Sequence, residues 1–144
     1  MDFQKGSIKK TAGQRKKHYT QLTNEDYKVL RNKLAIVRQQ WLRRGITLSY
    51  HLQDKMMKGE TTFSLDEAMK CIMYGQIIEY NTTDTDKRVL LRSTQTISHE
   101  GKLVNQCIVV SLKTFRVVTS FLNYADDNHT SINLDRYDET LEVK

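Results

Sequence analysis

From Gln76 onward the apolar residues change their spacing, and that change constrains the fold more than any other feature of the chain. Before it, apolar residues recur every three or four positions, the period of one helix face. After it come short runs rich in β-branched and apolar residues, separated by polar turns, which is the signature of strands. Gln76–Asn81, Arg88–Ser98, Leu103–Lys113 and Phe115–Asn123 are the strand candidates. The polar loop Thr82–Lys87 and the turn His99-Glu100-Gly101-Lys102 connect the first three, with a tight connection near Lys113–Thr114 before the last. Connections this short imply an antiparallel meander. The expected class is therefore α+β, with helices first and packed on one face of the sheet that follows.

The helical half carries its own punctuation. Thr23 is a good N-cap, with Glu25 and Asp26 in the first turn. Tyr27, Leu30, Leu34, Val37 and Trp41 then form one stripe, closed by Arg43, Arg44 and Gly45. Packing on the sheet is the main expectation for this stripe, and a homodimer seam is the alternative. Ile46–Leu48 reads as a short strand or extended link. Ser49 opens a helix of about two turns with His51, Lys55, Met56 and Met57, ended by Gly59. Ser64 and Glu67 form a capping box for a third helix with Leu65, Ala68, Met69 and Ile72 on its inner face, ended by Gly75.

At 144 residues the chain is expected to form a single domain around one core, spanning residues 19–125. Residues 1–18 hold six cations (Lys5, Lys9, Lys10, Arg15, Lys16, Lys17) against Asp2 and almost no apolar side chain, so a disordered basic arm is expected there. Residues 59–144 carry nine basic and thirteen acidic residues, and 126–144 reads as an acidic extension anchored by Ile132, Leu134 and Tyr137. This asymmetry points to an anionic partner. The candidate nucleic-acid contacts are Lys9, Lys10, Arg15, Lys16, Lys17, Arg31, Arg38, Arg43, Arg44 and Arg88. No apolar run approaches a membrane span and no signal-peptide pattern opens the chain, so the expected compartment is the cytoplasm, with no membrane partner. Cys71 and Cys107 read as buried thiols. The absence of paired Cys or His spacings argues against a metal site, and no nucleotide-loop or cofactor motif occurs.

Chemistry falls to isolated groups. His51 is the first candidate, because a histidine side chain suits acid or base work. Arg88 and Arg92 lie four apart on one strand face, as do Thr119 and Asn123. His99 and His129 read as exposed bystanders, and Tyr50, Tyr80, Tyr124 and Tyr137 are potential base-stacking rings. The order LSYHLQDKMMKG, SLDEAMKCIMYGQIIEYN, RVLLRS, CIVVSL, VVTSFLN resembles the small ribonuclease-like domains of the barnase–EndoU–colicin–RelE superfamily, and in particular its phage and prophage branch, over residues 46–124. That resemblance implies a candidate site of His51, Arg92 and Thr119: acid or base, phosphate stabiliser and orienting hydroxyl. The chain departs from the pattern around His51, where MMKGETTFS follows and the arginine-glycine link Arg44–Ile46 precedes. The expected function is binding of RNA or a nucleoprotein complex by a phage or mobile-element type of protein, without catalysis. An inhibitor that engages a host protein is included in that expectation. The alternative is a toxin-like, metal-independent endoribonuclease using His51.

Overall fold

The computed structural model describes residues 14–61, 63–127 and 133–144. Six strands form one sheet: β1 (Arg15–His18), β2 (Thr47–Leu48), β3 (Gln76–Thr82), β4 (Lys87–His99), β5 (Lys102–Ser111) and β6 (Arg116–Tyr124). Three helices accompany them: α1 (Asn24–Arg44), α2 (Tyr50–Met57) and α3 (Leu65–Tyr74). The order across the sheet is β1-β3-β4-β5-β6-β2, with β2 alone pairing in parallel, against β6. The α+β class and the central β3–β6 meander are as the sequence predicts, with each strand end within two residues of its expected place.

The helices form where their caps lie. Thr23 accepts from the Asp26 amide, and the Asp26 carboxylate accepts from the Thr23 amide, closing the first turn of α1. Ser49 and Ser64 cap α2 and α3 by accepting from the amides of Leu52 and Glu67. Leu30, Leu34, Val37 and Trp41 of α1 are buried in the main core with Ile77, Tyr80, Val89, Leu91, Ile108, Val110 and Val117 from one sheet face. The dimer seam expected as the alternative for this stripe is thereby corrected, because these side chains are consumed inside the protomer. Trp41 is 2% exposed, and its indole N–H donates to the Phe115 carbonyl at 2.7 Å. On α3 the inner face is Ala68, Cys71 and Ile72, whereas Leu65 at the first turn is exposed. Gly75 ends α3 against β4, where an added Cβ would sit 2.3 Å from the Cys71 carbonyl oxygen.

Residues 15–18 and the described C-terminal residues 133–144 pack differently from what their composition suggests. Of the expected disordered arm, residues 1–13 lie outside the described residues, but Arg15–His18 form β1, an antiparallel edge strand on β3. In register, Lys17 lies opposite Tyr80 and His18 opposite Glu79, so the polar residues of β1 meet polar or aromatic residues of β3. The C-terminal residues are part of the domain rather than an extension. The Asp138 amide donates to the Lys16 carbonyl on the free side of β1, and Leu141 and Val143 enter the main core. Lys17 Nζ donates to the Leu141 carbonyl, and Lys87 Nζ to that of Lys144. Of the expected anchors, Ile132 lies outside the described residues, and Tyr137 donates to Glu79 at 2.8 Å. This clasp covers the edge that β1 would otherwise expose. A chain ending at Glu139 loses two buried aliphatic side chains, at about 1.5–3 kcal/mol each. Denaturant unfolding is expected to show a loss of about 3 kcal/mol, with faster amide exchange in β1. Unchanged stability contradicts the clasp.

Candidate nucleic-acid interface

The three residues of the predicted catalytic site do not form one. Arg92 points to the sheet face away from the helices, where it is 6% exposed. Its guanidinium donates to Asn105 Oδ1 (2.8 Å) and to the carbonyls of Tyr124 (3.0 Å), Ala125 (3.2 Å) and Asp127. It is a clamp that fastens the chain leaving β6 onto β4 and β5. A guanidinium that is 6% exposed and already bonded to four acceptors of its own chain is not presented to a phosphate, which corrects the role expected for Arg92. Thr119 shares that face but pairs with Val109, and Val109 with Leu90, placing Thr119 two strands across from β4 and a register step away from Arg92. At about 4.8 Å per strand, that separation is on the order of 10 Å or more. His51 lies exposed in the first turn of α2 and, among the described residues, has no hydrogen-bond or ion-pair partner. The thiols of Cys71 and Cys107 are pushed up to about 12 by burial, so neither supplies a thiolate nucleophile.

Five of the eight described cations expected to meet nucleic acid are engaged within the protomer. Arg15 is paired with Asp138, whose carboxyl is held down at about 2 by hydrogen bonds from Thr140 and then Arg15. Lys16 is buried, its ammonium 4.9 Å from the centre of the Tyr137 ring. Lys17 pairs with Asp26 at 3.1 Å. Arg31 donates to the Gly75 carbonyl, and Arg88 pairs with Asp86 at 2.7 Å. Lys9 and Lys10 lie outside the described residues. Asn123, the strand-end candidate, is fully buried.

Arg38, Arg43 and Arg44 are different: among the described residues none of them has an acidic partner. Arg43 and Arg44 end α1 just before β2, which pairs with the strand that begins at Arg116. Gly45, at φ 87°, turns the chain off the end of α1, and Thr47 then pairs with Arg116 across the parallel β2–β6 contact. The carbonyl of Phe115, a residue with φ 62°, accepts from both Trp41 Nε1 and Thr47 Oγ1, fixing the end of α1 to the start of β6. Ser49 Oγ donates to the Val118 carbonyl at 2.6 Å, which places the first turn of α2 beside the same strand. The Arg116 guanidinium stacks 5.5 Å from the centre of the Tyr50 ring, and Tyr50 is 78% exposed. Arg43, Arg44, Arg116, Tyr50 and His51 thus share one corner of the molecule. The nearest acid on α2, Asp54, is neutralised by Lys58 at 2.9 Å.

Uncompensated guanidinium groups at the end of α1, with another stacked on an exposed aromatic ring, attract phosphate and offer a stacking surface. Tyr50 was a stacking candidate in the sequence. Arg116 was not, because the contact joining residues 47 and 116 leaves no periodic trace. Among the described residues no cluster of three His, Cys, Asp or Glu side chains is placed to hold a metal ion, and no helix is long and apolar enough to cross a membrane. Comparison of the chain with family models, with characterised proteins and with solved structures found no match.

Proposed function

We propose that this protein binds nucleic acid, alone or within a nucleoprotein complex, through the corner built by Arg43, Arg44, Arg116 and Tyr50, with the ribonuclease-like core serving as scaffold rather than catalyst. The observation that carries the reading is the contrast between paired and unpaired cations. Arg15, Lys17, Lys28, Lys58, Lys70 and Arg88 are balanced by carboxylates, whereas the three arginines at this corner are not. Arginine forks suit phosphate oxygens, and contacts to the backbone carry no sequence information. Tyr50, backed by Arg116, offers a ring face to an unpaired base. Single-stranded RNA is the favoured ligand because it combines accessible bases with a phosphate chain.

Three phosphate contacts give a slope of about −2 in log affinity against log salt for a single strand. Fluorescence anisotropy with a labelled single-stranded RNA, titrated between low and moderate salt, is expected to show this slope. His51→Ala is expected to bind within about twofold of wild type, and the RNA is expected to stay intact with both proteins. Binding indifferent to salt overturns the reading. Cleavage by the wild type that His51→Ala abolishes establishes the endoribonuclease alternative in its place.

A further inference from the structure

The hairpin of β4 and β5 runs past the rest of the sheet. β3 pairs with β4 only as far as Gln76 opposite Arg92, because Gly75 and α3 occupy the chain just before. β4 nevertheless continues to His99, still paired with β5. Among the described residues, no strand pairs with the outer side of Thr94–Ser98.

The direction of its backbone groups follows from the turn. Glu100 and Gly101 have φ values of 51° and 79°, the two positive angles of a two-residue type I′ hairpin. In such a hairpin the flanking pair, His99 and Lys102, exchanges hydrogen bonds, and pairs alternate from there. Ile97 and His99 point their N–H and C=O groups toward β5, and Thr96 and Ser98 point theirs outward. The Ala125 amide donates to the Leu103 carbonyl at 3.0 Å, so the residue opposite Ser98 likewise turns its carbonyl away from β4. Thr96 and Ser98 present donors and acceptors at an edge that no described strand covers.

Natural sheets blunt such an edge with lysine, proline or an inward charge. This one carries Thr94, Gln95, Thr96, Ile97 and Ser98, uncharged and without proline. Beside it lies a cleft of about 100 Å³ between Glu67, Lys70 and Tyr74 of α3 and residues 93–95.

We propose that this edge pairs with the same edge of a second copy of the chain, antiparallel about a twofold axis at Ile97. That register sets Thr96 opposite Ser98 of the other copy and closes four backbone hydrogen bonds. It brings the two Ile97 side chains together on the helix-bearing face, and it sets Glu100 opposite the uncharged Thr94, so no like charges meet. A register centred one residue earlier would have to use the bulge at residues 93–95, whose Ser93 and Gln95 carbonyls already accept from Asn105. The partner is a second copy rather than an unrelated strand because the uncharged segment and Ile97 are self-complementary about that axis.

Sedimentation velocity over a concentration series, from about 5 to 500 µM as befits a small interface, tests this. The wild type is expected to shift from monomer to dimer, and the Thr96 and Ser98 amides to become protected from exchange as concentration rises. Ser98→Pro removes an outward N–H without touching a hairpin bond, and the double variant Thr96→Lys/Ser98→Lys sets like charges across the axis at two exposed positions. Each is expected to weaken dimerisation at least tenfold, with the circular dichroism spectrum of the wild type retained. A wild type that stays monomeric throughout overturns the proposal. So does a dimer that both variants leave unchanged.

Discussion

Arg92→Met is expected to destabilise the domain by about 3 kcal/mol, seen as a fall in melting temperature of roughly 10 °C. The substitution keeps the aliphatic stem and removes every donor. Asn105 Oδ1 and the carbonyls of Tyr124, Ala125 and Asp127 then lose the group they share. A buried acceptor without a partner costs about 1–3 kcal/mol, and part of that is recovered where the loop after β6 reaches water. Arg92→Lys separates charge from geometry. A single ammonium cannot span acceptors spread over three backbone positions and a side chain, so about half the loss is expected to persist. The Asn105 amide also donates to Ser93 and Gln95, so loosening Asn105 opens the β4 bulge as well. Were Arg92 a phosphate-binding group instead, its removal would weaken RNA binding and leave the melting temperature unchanged. Thermal unfolding and RNA titration of the same variant decide between these roles.

How much of this is legible in the sequence depends on the range of the interaction concerned. Caps act over three residues and turns over two. Thr23, Ser49, Ser64 and the Glu100-Gly101 turn therefore announce their elements, and the strands between Gln76 and Tyr124 follow from period and turn chemistry. The edge strand Arg15–His18 is hidden by its composition. Four consecutive polar residues read as an arm until Glu79, Tyr80 and the Leu141–Val143 clasp supply partners more than sixty residues away. Leu65 shows the opposite error: the helical period places it on the inner face, but it sits in the first turn of α3, at the edge of the packed layer.

The candidate site divides in the same way. Arg43 and Arg44 are visible as the basic end of a capped helix. Arg116 becomes part of their surface only through the parallel pairing of Thr47 with Arg116, and nothing near either residue in the chain signals that contact. Lys16, Lys17 and Arg88 look identical to these arginines in sequence. They differ in being buried, as Lys16 is, or in having an acidic neighbour brought to them by the fold, as Lys17 and Arg88 do.

Reversing the charges at the corner tests whether it is the surface that holds RNA. Arg43→Glu, Arg44→Glu and Arg116→Glu together replace three unpaired cations, and exposed substitutions of this kind change stability by only about 0.5 kcal/mol each. Arg116→Glu also gives up the contact with the Tyr50 ring, worth about 0.5–1 kcal/mol at an exposed site. The measurement is the affinity of the folded triple variant for single-stranded RNA across a salt series, beside the wild type. Binding of RNA at this corner predicts a loss of at least a hundredfold at low salt and a salt slope reduced by about 2. A triple variant that binds RNA with wild-type affinity and slope contradicts it.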